Sequence, residues 1–258
     1  MGAWRSLVRL GLFTAVALAA LIGLGVWQLQ RLAWKEGLIA EVEARVDAAP
    51  VEAPAEAVWA KLAPDDYEYR HVRLRGVFEF SRQALVFRAL EQPRGRYGGP
   101  GYLVMTPLRL ADGAHVLVNR GFVPQAQRDR LAATAPDAVE ATTVTGLMRS
   151  SEPRNWFTPA DDPARGEWFT RDPAAIAAAL KVDRAAPFTI DADAGGTGEL
   201  PQGGETVLSF PNNHLGYAFT WFGLALALVG VFAAYAATRL RAERAGGARR
   251  REAAPPAA

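Results

Sequence analysis

The sequence predicts a membrane protein with two transmembrane helices flanking a mostly antiparallel β (α+β) extracytoplasmic domain. Three observations carry that expectation. Two long charge-free apolar runs lie at residues 10–30 and 215–238. Arginines cluster on the outer flank of each run. Between the runs, short alternating segments rich in Val, Leu, Phe and Thr are separated by Gly- and Pro-containing turns, the pattern of β-strands rather than helices.

The first run reads LGLFTAVALAALIGLGVWQLQ. At about 1.5 Å per residue it covers roughly 30 Å, the thickness of a bilayer's hydrocarbon core. It reads as an uncleaved anchor. Ala17-Leu18-Ala19 has the form of a signal-peptide cleavage site but lies in the middle of the run, and the apolar stretch continues to Trp27, longer than a signal-peptide core. The second run, LGYAFTWFGLALALVGVFAAYAAT, is also free of charge. Its length, and the arginines that follow it, set it apart from a buried core helix.

Orientation follows from those arginines. Arg5 and Arg9 precede the first run, and six arginines from Arg239 to Arg251 follow the second against Glu243 and Glu252. The ends carry +2 and +4 within a total of +2, which leaves −4 on the part between. Positive flanks stay in the cytoplasm and a long connecting segment crosses regardless of its own charge. The expected layout is a cytoplasmic N-terminus at 1–9, a first span at 10–30, a periplasmic domain at 31–213, a second span at 214–238 and a basic cytoplasmic tail at 239–258. The location is the inner membrane, with lipid as one partner. The acidic middle speaks against nucleic acid.

Small residues recur on both runs: Gly11, Ala15, Ala19 and Gly23, four apart, on the first, and Gly223, Ala227, Gly230 and Ala234, at steps of four, three and four, on the second. Such stripes let two helices approach closely in lipid, although Ala and Gly are common throughout this chain.

Inside the domain, residues 32–46 read as a helix ended by Pro50, and residues 55–62 as a short second one. Strands are expected at 69–80, 84–90, 102–110, 115–123 and 142–149, with the third and fourth joined as a hairpin around Asp112-Gly113. Residues 187–191 and 206–210 are weaker strand candidates. Asp172-Pro173 starts a helix over 174–182, Asp at the N-cap and Pro at the first helical position. A small barrel or sandwich accommodates this order. Residues 92–101 and 192–204 are loops, and the tail from Gly246 has the composition of a disordered segment.

Chemistry is sparse. The chain has no cysteine, which excludes disulfides, thiolate metal sites and a Cys nucleophile. There is no G-x-S-x-G and no phosphate-binding Gly-rich loop. Asp161-Asp162 reads as a turn rather than a catalytic pair. His71 and His115 read as ordinary strand histidines. No enzyme is expected.

His214 differs. It stands in PNNHLGYAFTWF at the mouth of the second span. An ionisable group at membrane depth points to function, and neutral imidazole is an axial ligand for haem iron. Trp221, seven residues on, shares its helix face, and Tyr217, about one turn on, flanks it. The bland alternative is an interfacial belt of His, Tyr and Trp, which spacing alone favours. On the first span, Trp27, Gln28 and Arg31 lie at the same depth. Arg31 or Lys35 is placed to meet a haem propionate, or simply snorkels to the headgroups.

Together these segments resemble the Surfeit locus protein 1 family. The resemblance rests on Gly25-Val26-Trp27-Gln28-Leu29 with Arg31, Trp34 and Lys35; on Arg70, Val72, Gly76 and Phe78; and on Gly101-Tyr102 through Thr106-Pro107-Leu108. It continues in Val116-Leu117-Val118-Asn119-Arg120-Gly121-Phe122-Val123-Pro124, Gly146, and Asn213-His214-Leu215 with Tyr217-Ala218 and Thr220-Trp221-Phe222. Two positions depart from it: Phe122 stands where the family often has Trp, and Asp161 where it commonly has Asn. The resemblance implies a non-enzymatic assembly factor for cytochrome c oxidase. It implies transient binding of haem a, with the iron on His214 and Trp221 at the same site, and delivery to the catalytic subunit of a haem-copper oxidase. A structural partner that stabilises an oxidase intermediate without haem is the competing expectation, and a membrane-anchored periplasmic enzyme a third.

Overall fold

The computed structural model describes residues 2–132, 140–164, 166–195, 200–206, 208 and 210–252. The chain divides into two compact units, residues 1–40 with 209–258, and residues 41–208.

The first unit is a pair of long helices, α1 (Gly2–Asp47) and α6 (His214–Glu252), the first running on into the other unit. Each is long and apolar enough to cross a membrane. The buried and half-buried positions of α1 include Leu7, Gly11, Thr14, Leu18, Leu21, Gly25, Gln28, Leu32 and Lys35. Those of α6 include His214, Ala218, Trp221, Ala225, Leu228 and Phe232. Spacings of four and three alternate on both, the 3.5-residue repeat of two helices meeting along one seam.

The expected stripes of small residues are only partly used. A side chain at Gly11 would touch the ring of Phe232, but nothing lies within 4 Å of Gly23, Gly223 or Gly230. Gly25 makes the close approach instead: a Cβ there would stand 2.7 Å from the Phe222 ring. On α1 a strict four-residue spacing drifts off a seam that repeats every 3.5 residues, and on α6 the small residues keep the seam's repeat but lie two positions on from Trp221, Ala225, Leu228 and Phe232, on another face. Gly25→Val therefore overpacks the seam and is expected to cost about 1–3 kcal/mol, while Gly23→Val is silent. Thermal unfolding of the purified full-length variants compares the two.

α6 continues past Gly246 to Glu252, where composition predicts an unstructured tail. The added segment opens with Gly246-Gly247, which disfavour helix, but continues as Ala248-Arg249-Arg250-Arg251-Glu252, all good helix formers. Residues 253–258 lie outside the described residues.

The second unit is built on one sheet in the order β1-β2-β6-β7-β5-β4-β3, closed on itself by a β2–β4 pairing. Its strands are β1 (Val51–Glu52), β2 (His71–Phe78), β3 (Ala84–Leu90), β4 (Gly99–Leu110), β5 (His115–Pro124), β6 (Thr142–Arg149) and β7 (Ala185–Ala192). Five strands, β2, β6, β7, β5 and β4, form the closed barrel-like ring. β1 and β3 are appended outside it. Five of the strand pairings are antiparallel and two, β1–β2 and β5–β7, are parallel. Gly76 sits at the closure, where a Cβ would be 2.6 Å from the Arg109 carbonyl oxygen; only glycine lets β2 reach β4 there.

The expected hairpin is β4–β5, with Arg109 opposite His115 and the turn at Asp112-Gly113. Asp112 Oδ1 accepts from Ala114 N at 3.0 Å, and Gly113 has φ +83°, the left-handed conformation such turns require. Helix α5 (Pro173–Ala179) starts as its sequence predicts, Asp172 Oδ1 accepting from Ala174 N and Ala175 N. It ends at Ala179, before the expected Val182. The segment at 55–62 contains only one turn of helix, α2 (Glu56–Trp59). It is followed by a second short turn, α3 (Pro64–Tyr67), that the sequence reading lacks. Another short helix, α4 (Arg128–Ala132), follows β5. Thr206, Leu208 and Phe210 belong to no strand; Val207 and Ser209 lie outside the described residues.

β5 is buried on both faces, as the run Val116-Leu117-Val118 suits. Val116 and Val118 face a core with Leu108, Met148, Phe188 and Ile190, sealed by Trp59 and Tyr67. Leu117 and Phe122 face a second core with Met105, Trp168 and Ile176, covered by α5.

Candidate haem-ligand site

His214 is the first residue of α6 and lies on its seam. Gln28 lies on the seam of α1 and is only 8% exposed. His214 Nδ1–H donates to Gln28 Oε1 at 2.7 Å. In a neutral imidazole that places the single ring proton on Nδ1 and leaves the lone pair on Nε2. No hydrogen bond engages Nε2 among the described residues. Just outside the helix, Lys35 Nζ donates to the Pro211 carbonyl oxygen, tying the entry to α6 to α1.

The other expected site residues divide. Trp221 shares the seam with His214, half-buried, as a seven-residue step predicts. Tyr217 does not; it is 56% exposed and points off the seam. Trp27 is likewise exposed. Arg31 is exposed and folds back along its own helix, its guanidinium 3.9 Å over the Trp34 ring. The structure thus brings together Gln28 and His214, places Trp221 two turns on along the same seam, and leaves Arg31 and Tyr217 on outward faces.

The donor set suits a haem better than a bare ion. Among the described residues no group of three or more His, Cys, Asp or Glu is placed to hold a metal. A porphyrin brings four nitrogens of its own, so the protein need supply only an axial donor, and Nε2 of His214 is one.

In the other unit the strand histidines are structural. His115 is buried, with Nδ1 donating to the Asp183 carbonyl at 2.9 Å. His71 bonds the Ala48 carbonyl through Nδ1 and the Asp193 carboxylate through Nε2, both at 2.9 Å. Burial lowers its pKa, but Asp193 and Ala48 outweigh that and leave it raised. Asp161 is a structural hub rather than half of a catalytic pair. Its oxygens accept from Phe169 N, Thr170 N, Thr170 Oγ1 and Arg154. Burial opposes its ionisation, yet those donors hold its pKa below the ordinary value.

A buried charge cluster was not foreseen from the sequence. Asp191, on β7, accepts from Asn119 Nδ2 at 2.9 Å, Thr206 Oγ1 at 3.0 Å, Arg171 Nη1 at 3.1 Å and Arg149 Nη1 at 3.3 Å. Arg149 also pairs with Glu68 at 2.8 Å, and Glu152 with Arg88 at 2.7 Å. Burial pushes the Asp191 carboxyl up, and the two guanidinium groups with Asn119 and Thr206 more than offset it, so its pKa is lowered. The Asn119-Arg120-Gly121 segment of β5 is part of the same cluster: Asn119 Oδ1 accepts from Gly121 N at 3.1 Å.

The SURF1 family profile matches residues 15–226, from within the first apolar helix to within the second. The chain belongs to the SURF1 family. It is 37% identical to Surfeit locus protein 1 of Mus musculus over 220 residues, 81% of this chain and 70% of that protein. It is 37% identical to the Homo sapiens protein over 217 residues, 80% and 70% of the two chains. A SURF1-like protein of Drosophila melanogaster is 36% identical over 237 residues, 86% and 76%. As a SURF1 family protein, this chain carries the matched region across both its apolar helices and the closed sheet between them. Within that region, Gln28 and His214 bond across one helix seam on which Trp221 also lies, while Asn119, Gly76 and Gly146 serve the fold. A Cβ at Gly146 would stand 2.2 Å from the Asp191 carbonyl oxygen.

Proposed function

We propose that this SURF1 family protein is a membrane-bound assembly factor for a haem-copper oxidase, binding haem a transiently and passing it to the catalytic subunit. The observation that carries the reading is the Gln28–His214 hydrogen bond, which presents Nε2 as a free donor at the mouth of the second span. His214 supplies the axial nitrogen. Trp221 lies two turns further along the same face. One protein ligand suits a cargo that must leave: a single bond is broken at handover, and no cage has to open. Arg31 and Tyr217, on outward faces, are available to a propionate and to the porphyrin edge. The protein performs no chemical conversion.

Both termini are cytoplasmic and the closed-sheet domain is periplasmic, because the arginines flank the outer ends of the spans. Reporter fusions at the C-terminus and within residues 192–204 check this. The C-terminal fusion is expected to be active only as a cytoplasmic reporter, and the internal one only as a periplasmic reporter.

The competing reading is a structural partner with no haem of its own. A strain lacking the protein separates the two. Haem delivery predicts that the oxidase catalytic subunit still accumulates but contains less haem a. The structural reading predicts that the subunit itself is lost.

A further inference from the structure

We propose that Gln28 is a positioning residue for His214: it fixes the imidazole in its Nδ1–H tautomer and turns Nε2 outward as the donor. This rests on the haem reading above and adds a residue to it. Gln28 is a polar side chain at a seam position otherwise filled by residues such as Leu21, Gly25 and Leu32. Burying an amide in an apolar helix pair is unfavourable unless its polar atoms are engaged. Its Oε1 is engaged by His214 at 2.7 Å, across 186 residues of sequence.

That bond has a chemical consequence. A neutral imidazole carries one ring proton, and a carbonyl-type acceptor on one nitrogen holds the proton there. With Oε1 on Nδ1, the Nε2 lone pair is always exposed to a ligand. Without it, the proton divides between the nitrogens, and every molecule with Nε2–H is unable to bind iron through that atom. The acceptor also sets the ring plane. Outer partners of this kind fix tautomer and orientation of ligating histidines and raise their basicity.

The test uses the full-length protein in nanodiscs, labelled with nitrogen-15 at histidine. The chain has three histidines, so comparison with His214→Ala identifies the His214 signals. Wild type is expected to show His214 with its proton on Nδ1. Gln28→Leu, of similar size but without an acceptor, is expected to show a mixture of tautomers and to bind ferric protoporphyrin IX about 10- to 100-fold more weakly. Gln28→Glu, which restores an oxygen at the same reach, is expected to recover the Nδ1–H tautomer and tight binding. A packing role predicts the reverse order, Leu tolerated and Glu not. An Nε2–H signal in wild type, or an unchanged tautomer in Gln28→Leu, overturns the proposal. If the tautomer follows Gln28 but His214→Ala binds ferric protoporphyrin as wild type does, the haem reading fails and the positioning role stands.

Discussion

His214→Ala is expected to strip haem from the full-length protein while the protein still accumulates in the membrane. The substitution deletes the only nitrogen assigned to the iron. Its effect should therefore exceed the roughly 10- to 100-fold that altering an outer partner costs a metal site. The fold should survive. His214 is the first residue of a helix and half-buried, and its loss leaves Gln28 Oε1 without its donor, a cost on the order of 1–3 kcal/mol. Trp221→Ala removes an aromatic surface on the same face but no bond to iron, so haem retention should fall less. Haem per protein after purification, with membrane abundance by immunoblot, measures both. If these residues only formed an interfacial belt, haem content would be the same in all three proteins.

The second large effect is on stability. Asp191→Ala removes the carboxylate that faces Arg171 and Arg149, of which Arg171 is itself only 2% exposed. Arg149 keeps Glu68 and Arg171 keeps Glu152, but the carboxylate shared between them is gone; breaking such a buried pair costs about 3–5 kcal/mol, a large part of the about 5–15 kcal/mol that holds a domain folded. The closed-sheet domain should unfold at markedly lower denaturant concentration than in wild type. The pH dependence has a definite sign. The folded pKa of Asp191 is depressed, so its stabilisation is fully present above the unfolded value of about 3.9 and is lost as pH falls through the folded value. Stability measured from pH 6 downward should fall steeply for wild type below about pH 4 and more gently for Asp191→Asn, which keeps the shape but has no carboxyl to protonate.

Much of the domain was legible because it rests on local signals. The run Val116-Leu117-Val118, the Asp112-Gly113 turn and the Asp172 cap each work within a few residues, and each appears where expected. What the sequence does not expose is long-range. The β5–β7 pairing is parallel and joins residues about 70 positions apart, so no turn motif announces it. Asn119, Arg149, Arg171 and Asp191 read singly as unremarkable polar residues and become a cluster only when the barrel closes. The helix seam was hidden for another reason. Both helices are apolar all round, so no hydrophobic stripe marks the inward face, and the stripes of small residues suggested a face that Gly23, Gly223 and Gly230 do not use. Gln28 was placed at the depth of His214 by counting along the spans, but its partnership with Nδ1 required the seam register. Arg31 and Tyr217 lie at the same level and face elsewhere, since depth along a helix does not determine azimuth.

The central claim is that this protein carries haem a at His214, and the visible absorption spectrum tests it most directly. The protein is purified in mild detergent from cells that make haem a and, in parallel, from cells that do not. The account predicts an a-type haem spectrum in the first preparation, its absence from the second, and its loss in His214→Ala purified from the first cells. A well-folded wild-type protein from haem a-producing cells with no visible absorption would contradict it.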